Sequence, residues 1–155
     1  MTIRKILFLL TLLILAASYF SGYTPLLVGA VFGIFSSITY LYYAIDKRAA
    51  IKGTWRVPEN TLHFLALCCG WPGALLAQDN LRHKTRKVSF RLVFVITALV
   101  NASAIAWIHT PEGCRQLRGA IMGFHQHVEP YVESEQADEL IRVFMQYREL
   151  PDLLR

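Results

Sequence analysis

Two short stretches hold most of the chemistry available to this chain. One is Asp46-Lys47-Arg48-Ala-Ala-Ile-Lys52-Gly-Thr-Trp55-Arg56-Val-Pro-Glu59, and the other is Arg82-His83-Lys84-Thr85-Arg86-Lys87. Guanidinium groups offer a forked donor that fits phosphate, ammonium groups a compact charge, and basic groups beside a bilayer gain about 1 kcal/mol each from anionic lipid. Lys47, Arg48, Lys52, Trp55, Arg56, Arg82, His83, Lys84, Arg86 and Lys87 are therefore expected to form one binding face. Asp46, Glu59 and Asp79 are expected to staple it through ion pairs, with Arg82 or Lys84 the expected partner of Asp46. The plainest use of the cluster is this stapled cap alone. His83 is the one catalytic candidate, a general acid or base oriented by Asp79 or Asp46 while the cations neutralise a phosphate. No activated serine or cysteine nucleophile accompanies it, which weighs against an enzyme.

Metal chemistry has less support. His63 and Cys68 are five apart, which on a helix puts them on different faces, and His125-Gln-His127 converges only on a strand, whereas its surroundings read as helix. No metal or cofactor is expected. Three cysteines, two of them adjacent, do not make a disulfide framework. Nucleic acid is a poor fit as a partner, because the basic patch is short and offers only Trp55 for stacking.

The elements that must position these residues are apolar. Hydrophobic residues make up 54% of the 155, and the charges gather between uncharged runs at Ile6–Phe20, Pro25–Ile45, Leu62–Gln78 and Leu92–Ile108. Crossing a hydrocarbon core takes about 20 apolar residues. Up to Ile108 there are eleven basic residues against three acidic ones; after it, five arginines face eight acids. Short Lys/Arg-rich loops stay in the cytoplasm. The N-terminus and the Asp46–Asn60 loop are thus expected inside, and the turn at 21–24 outside. Arg4 and Lys5 ahead of an apolar run ending in Ala16-Ala17-Ser18 also resemble a secretory signal, but an uncleaved first helix of a hairpin is the simpler reading.

The third run decides the topology. If Leu62–Gln78 crossed the membrane, the densest basic cluster in the chain would have to be exported. Gly70-Trp71-Pro72-Gly73 interrupts that run, and proline removes an amide donor and clashes with the preceding turn. A broken helix is tolerated at membrane depth only where protein or water covers its freed backbone groups. The segment 61–81 is therefore expected to turn back at Gly70–Gly73 as a re-entrant hairpin, the competing reading being a proline-kinked full span. The expected fold is an all-α membrane protein with spans at about 6–23, 25–45 and 90–108 over a membrane domain of 1–110. An amphipathic helical tail, 111–155, follows on the external side.

Small residues recur every four positions at Gly29, Gly33 and Ser37, and at Ala98, Ala102 and Ala106. Without a hydrophobic drive between helices in lipid, such faces permit close approach, so these two are expected to meet, with Asn101 bonding across the seam. A homodimer through Gly29 and Gly33 is the alternative use. In the tail, Leu117, Ala120, Ile121, Phe124 and Val128 repeat at helical spacing up to Pro130; Ala137, Leu140, Ile141, Phe144 and Tyr147 repeat after an N-cap at Ser134, and Pro151 closes that helix. About 45 residues cannot build a core alone, and their acidity disfavours anionic lipid, so a protein surface is the expected partner.

Asp46-Lys47, Gly53, Trp55-Arg56-Val57-Pro58-Glu59, Gly70, Trp71, Gly73, Arg82-His83-Lys84-Thr85, Lys87 and Phe90 together resemble the small bacterial membrane proteins of domain of unknown function 1294. The likeness covers about residues 35–105; the tail lies outside it. It implies an integral protein of the bacterial inner membrane with no established activity. Some relatives carry a cold-shock domain ahead of the membrane part, which is not expected here, and family members often have Gly-Gly where this chain has Cys69-Gly70. The leading functional expectation is a non-catalytic multipass protein whose basic cytoplasmic face binds anionic lipid headgroups or a phosphate ligand. The alternatives are an accessory or scaffold subunit of a larger membrane complex, and a membrane enzyme acting on a phosphate-bearing lipid through His83.

Overall fold

A computed structural model describes residues 1–83, 87–132 and 134–148, and within them the chain is helical with no strand. In order come α1 (Ile3–Phe20), α2 (Leu26–Lys52), α3 (Glu59–Leu65), a π-type turn (Ala66–Gly70), α4 (Trp71–Leu81), α5 (Val88–Ile108), α6 (Pro111–Val128), a 3-10 turn (Glu129–Tyr131) and α7 (Glu135–Met145). Helices α1, α2 and α5 are long and apolar enough to cross a membrane. Their outward faces carry exposed Leu, Ile and Val side chains, a surface suited to hydrocarbon.

Two compact units divide the chain. One joins Met1–Leu13 with Val31–Ser103, the other Ile14–Ala30 with Ala104–Arg155. The first has a core of Tyr43, Leu62, Ala66, Ala74, Leu75, Ala77, Phe90 and Phe94, contributed by α2, α3, the π-type turn, α4 and α5. Tyr43 meets Phe90 edge to face at 6.2 Å and accepts a hydrogen bond from Gln78 Nε2 at 3.3 Å.

Helix α2 runs seven residues past Ile45, because alanines and cations suit a helix C-terminus. Gly53, at φ +66°, then closes it: the Thr54 amide donates back to the Ala49 carbonyl at 3.1 Å, a left-handed cap that favours glycine.

The break between α3 and α4 falls at Cys68 and Cys69, not at Gly70–Gly73 as the residue types suggest. Cys69 has φ +68°, a conformation that costs a non-glycine residue about 1 kcal/mol. Trp71 and Pro72 instead form the first turn of α4, where proline fits because its missing N–H would have no helical partner. The two glycines serve packing. A Cβ on Gly73 would lie 1.9 Å from the Ser36 carbonyl oxygen, and one on Gly70 would lie 2.1 Å from Thr39 Oγ1. The start of α4 is therefore pressed backbone to backbone against the middle of α2.

This contact replaces the expected seam between α2 and α5. Gly29, Gly33 and Ser37 are exposed, and nothing lies within 4 Å of a Cβ built on either glycine; Ala102 is exposed and Ala98 half-buried. The buried stripe of α2 is Phe32, Thr39, Tyr43, Asp46 and Ala49, set by which residues face α4 and not by small size alone. Asn101 does bond between helices, but toward the break. Its Nδ2 donates to the Leu67 carbonyl at 3.0 Å and the Ala66 carbonyl at 3.4 Å, besides Thr97 in its own helix at 2.9 Å. It thus covers carbonyls that the irregular turn leaves without helical partners.

In the second unit, Thr110 caps α6 by accepting from the Gly113 amide at 3.1 Å. Ile121 is its buried apolar contact. Arg118 donates to the Gly22 carbonyl at 3.1 Å and lies over the Tyr147 ring at 4.4 Å; Arg148 covers Phe20, and Tyr23 stacks on His109 at 4.8 Å. Burial pushes the Tyr147 phenol up to about 12, so it stays neutral. Ser134 stands at the N-cap of α7 without a side-chain capping bond. Pro151 lies outside the described residues.

Candidate functional site

Asp46 lies near the end of α2 with no solvent exposure. A buried carboxylate needs compensation, and it receives it from two directions. Arg56, from the loop after α2, donates Nε to Oδ1 at 3.1 Å and Nη2 to Oδ2 at 3.0 Å, a two-pronged pair. His83 Nε2 donates to Oδ2 at 2.7 Å from beyond α4. The hydrogen bond to Asp46, and then its charge, raise the Arg56 pKa above the ordinary guanidinium value, so this cation is permanent.

His83 reaches Asp46 because Arg82 ends α4 in the left-handed conformation, φ +49°. That backbone costs about 1 kcal/mol for a residue with a Cβ and persists only where surrounding contacts fix it. The His83 bond is such a contact. The Arg82 side chain itself points to solvent, so the partners of Asp46 described here are Arg56 and His83, not Arg82; Lys84 and Arg86 lie outside the described residues.

Further pairs draw the same elements together. Lys47 Nζ donates to the Leu81 carbonyl at the end of α4. Lys87 Nζ lies 2.7 Å from Glu59 Oε2, joining the start of α3 to the start of α5. Lys5 lies 3.5 Å from Asp79, joining α1 to α4. Within this unit, the segment from Glu59 to Lys87 closes on itself. Sequence reasoning missed Lys5 and the Gln78–Tyr43 bond. A basic N-terminus expected on the same side as Asp79 was the available signal for the first; nothing in the spacing signalled the second.

The cluster thus separates its cations into two sets. Arg56, His83, Lys47 and Lys87 are committed to internal partners. Arg48, Lys52 and Arg82 are exposed and have no hydrogen bond or ion pair among the described residues. Arg48 and Lys52 are one turn apart on α2, so they share a face. Three residues beyond Lys52, the Trp55 side chain is 92% exposed. An uncommitted pair of cations, close in sequence to a bare indole, can take a phosphate or sit among lipid headgroups. No three His, Cys, Asp or Glu side chains converge on a metal-sized site among the described residues.

Residues 36–90, which contain the whole cluster from Asp46 to Lys87, match the family described as Protein of unknown function (DUF1294). A relative, the uncharacterized protein YsdA of Bacillus subtilis (strain 168), is 34% identical over 67 residues, covering 43% of this chain and 75% of the relative. The chain belongs to this family. The family match ends within the first turn of α5, so most of that helix and the tail lie beyond it. No solved structure matches the chain.

Proposed function

We propose that this chain is a non-catalytic multipass protein of the bacterial inner membrane whose cytoplasmic face binds anionic phospholipid headgroups or another phosphate-bearing ligand. The N-terminus is cytoplasmic, α1, α2 and α5 span, α3 and α4 form a re-entrant hairpin, and the tail is external. The ion pairs Lys5–Asp79, Asp46–His83 and Glu59–Lys87 support the hairpin, because they bring both of its ends to the ends of α1, α2 and α5 that carry the basic residues.

The observation that carries the binding reading is the exposure of Trp55 beside the uncommitted Arg48 and Lys52. The Arg56–Asp46 pair holds the loop from behind, so the indole and the two cations are presented without the ordering cost of a free loop. This narrows the binding set to Arg48, Lys52, Trp55 and Arg82, and makes Arg56, His83, Lys47 and Lys87 its supports. The test is native mass spectrometry of the detergent-extracted protein with phosphatidylglycerol added. Wild type should retain the lipid, and the double variant Arg48→Glu, Lys52→Glu should lose it with unchanged helix content. Equal retention by both would sink the proposal.

A second reading, an accessory subunit, draws on the tail. Met122, Phe124, Leu140 and Val143 are all more than half exposed on α6 and α7. A stoichiometric protein surviving gentle extraction, and lost on changing Phe124 and Leu140 to Ser, would favour it.

A further inference from the structure

A cleft of about 390 Å³ opens in the unit that contains the tail. Tyr19, in the last turn of α1, lines it together with Val143 of α7 and the three residues that follow that helix, Gln146, Tyr147 and Arg148. These side chains supply two phenols, an amide and a guanidinium, and no carboxylate. Other acids described in the unit are engaged or set back. Glu112 is paired with Arg115, Glu129 and Asp138 with Arg142, and Glu135 and Glu139, earlier on α7, do not line the cleft. Glu149 and Asp152 lie outside the described residues. Arg118, over the Tyr147 ring at 4.4 Å, adds a second positive charge.

The Tyr147 hydroxyl is the informative group. It is buried and has no hydrogen-bond partner among the described residues. A buried hydroxyl left unpaired is destabilising, and native folds leave few in that state. Burial also keeps the phenol neutral, so it is a donor at any physiological pH. Arg148 is exposed and lies over the Phe20 ring at 4.9 Å, with no hydrogen bond or ion pair among the described residues. Stacking on a ring leaves the N–H edge of a guanidinium available to an anion.

We infer that this cleft binds the phosphate group of a small soluble ligand, held by the Arg148 guanidinium, the Tyr147 hydroxyl and the donors of Tyr19 and Gln146. Charge-assisted bonds of this kind are the strong ones. Donors come from two elements, α1 and the segment after α7, which a tetrahedral phosphate meets better than a planar carboxylate. The volume is near the lower end of ligand sites and suits a small solute. An anionic bilayer surface would meet the acids of α7 as a whole, whereas one small anion meets only the cleft. The site lies outside the cation set of the proposed function and does not depend on that reading.

The experiment follows the unfolding midpoint of the full chain in non-ionic detergent by circular dichroism as sodium phosphate is added at constant ionic strength, with acetate and chloride as the other anions. The chain carries Arg48→Glu and Lys52→Glu, so the proposed cytoplasmic cations contribute nothing and the two readings fail separately. A saturable rise with phosphate is expected, larger than with acetate or chloride. Tyr147→Phe, which removes only the unpaired hydroxyl, should leave the midpoint without phosphate unchanged or raised and weaken phosphate by about tenfold, the value of one charge-assisted hydrogen bond. Arg148→Gln should abolish the rise. Native mass spectrometry with phosphatidylglycerol in place of phosphate separates the sources: lipid retained by this chain and lost in Tyr147→Phe would make the ligand a headgroup and overturn a soluble one. No rise beyond chloride, an equal rise with acetate, or a rise that survives both Tyr147→Phe and Arg148→Gln overturns the inference. So does a lowered midpoint of Tyr147→Phe without phosphate, which would mean that the hydroxyl already has a partner in the fold.

Discussion

In the unit of Met1–Leu13 and Val31–Ser103, a fully buried carboxylate is the meeting point of α2, the loop behind it and the segment after α4. In the unit of Ile14–Ala30 and Ala104–Arg155, contacts between elements include exposed arginines laid over rings, Arg118 over Tyr147 and Arg148 over Phe20, and no charged side chain among its described residues is fully buried. The contrast is one of commitment. Asp46 has no acceptable alternative to its partners, since an uncompensated buried charge is costly. The arginines of the tail can exchange their partners for water. The first unit is therefore built to hold one arrangement, while the second can adapt to what it meets.

Substitutions can break or sharpen that comparison. Asp46→Asn keeps the shape and removes the charge that Arg56 and His83 compensate, so it should cost about 3 kcal/mol, the low end for a buried pair because Arg56 is half-exposed. A lowered unfolding midpoint in detergent, tracked by circular dichroism, reads it. Gly73→Ala forces a methyl against the Ser36 backbone and should cost about 2 kcal/mol by the same assay, with α4 displaced from α2. Asn101→Leu leaves the Leu67 and Ala66 carbonyls uncovered and should cost about 1 kcal/mol, typical for a bond between membrane helices. Arg118→Ala should move the midpoint by less than about 0.5 kcal/mol, yet speed protease cleavage within α6 and α7. A loss of stability from Arg118→Ala as large as that from Asp46→Asn would end the distinction between the units.

The three helices long and apolar enough to cross a membrane were legible because long uncharged runs admit few other readings, and α1, α2 and α5 lie close to where those runs stand. The presence of a break between α3 and α4 was legible from Gly and Pro, but its position was not. Those residues mark two different needs: Pro72 starts a helix, Gly70 and Gly73 permit close approach, and the left-handed residue is Cys69. The stripe of Gly29, Gly33 and Ser37 misled because small residues allow contact without requiring it. The identity of Asp46's partners could not be read from spacing, since Arg56 and Arg82 are equally basic. Arg56 arrives from the loop after α2, and the left-handed turn at Arg82 brings His83, not Arg82, to the carboxylate.

The central claim, that residues 61–81 turn back and gather both basic loops on one face, is tested most directly by labelling. In a chain with Cys68, Cys69 and Cys114 replaced, single cysteines are introduced at Thr54, Asn80 or Ser134, and intact cells are treated with a membrane-impermeant thiol reagent. The account predicts that 54 and 80 are both protected until the cells are permeabilised, while 134 reacts at once. Labelling at 80 in intact cells with 54 protected would mean a full span between them, and would contradict the gathered site.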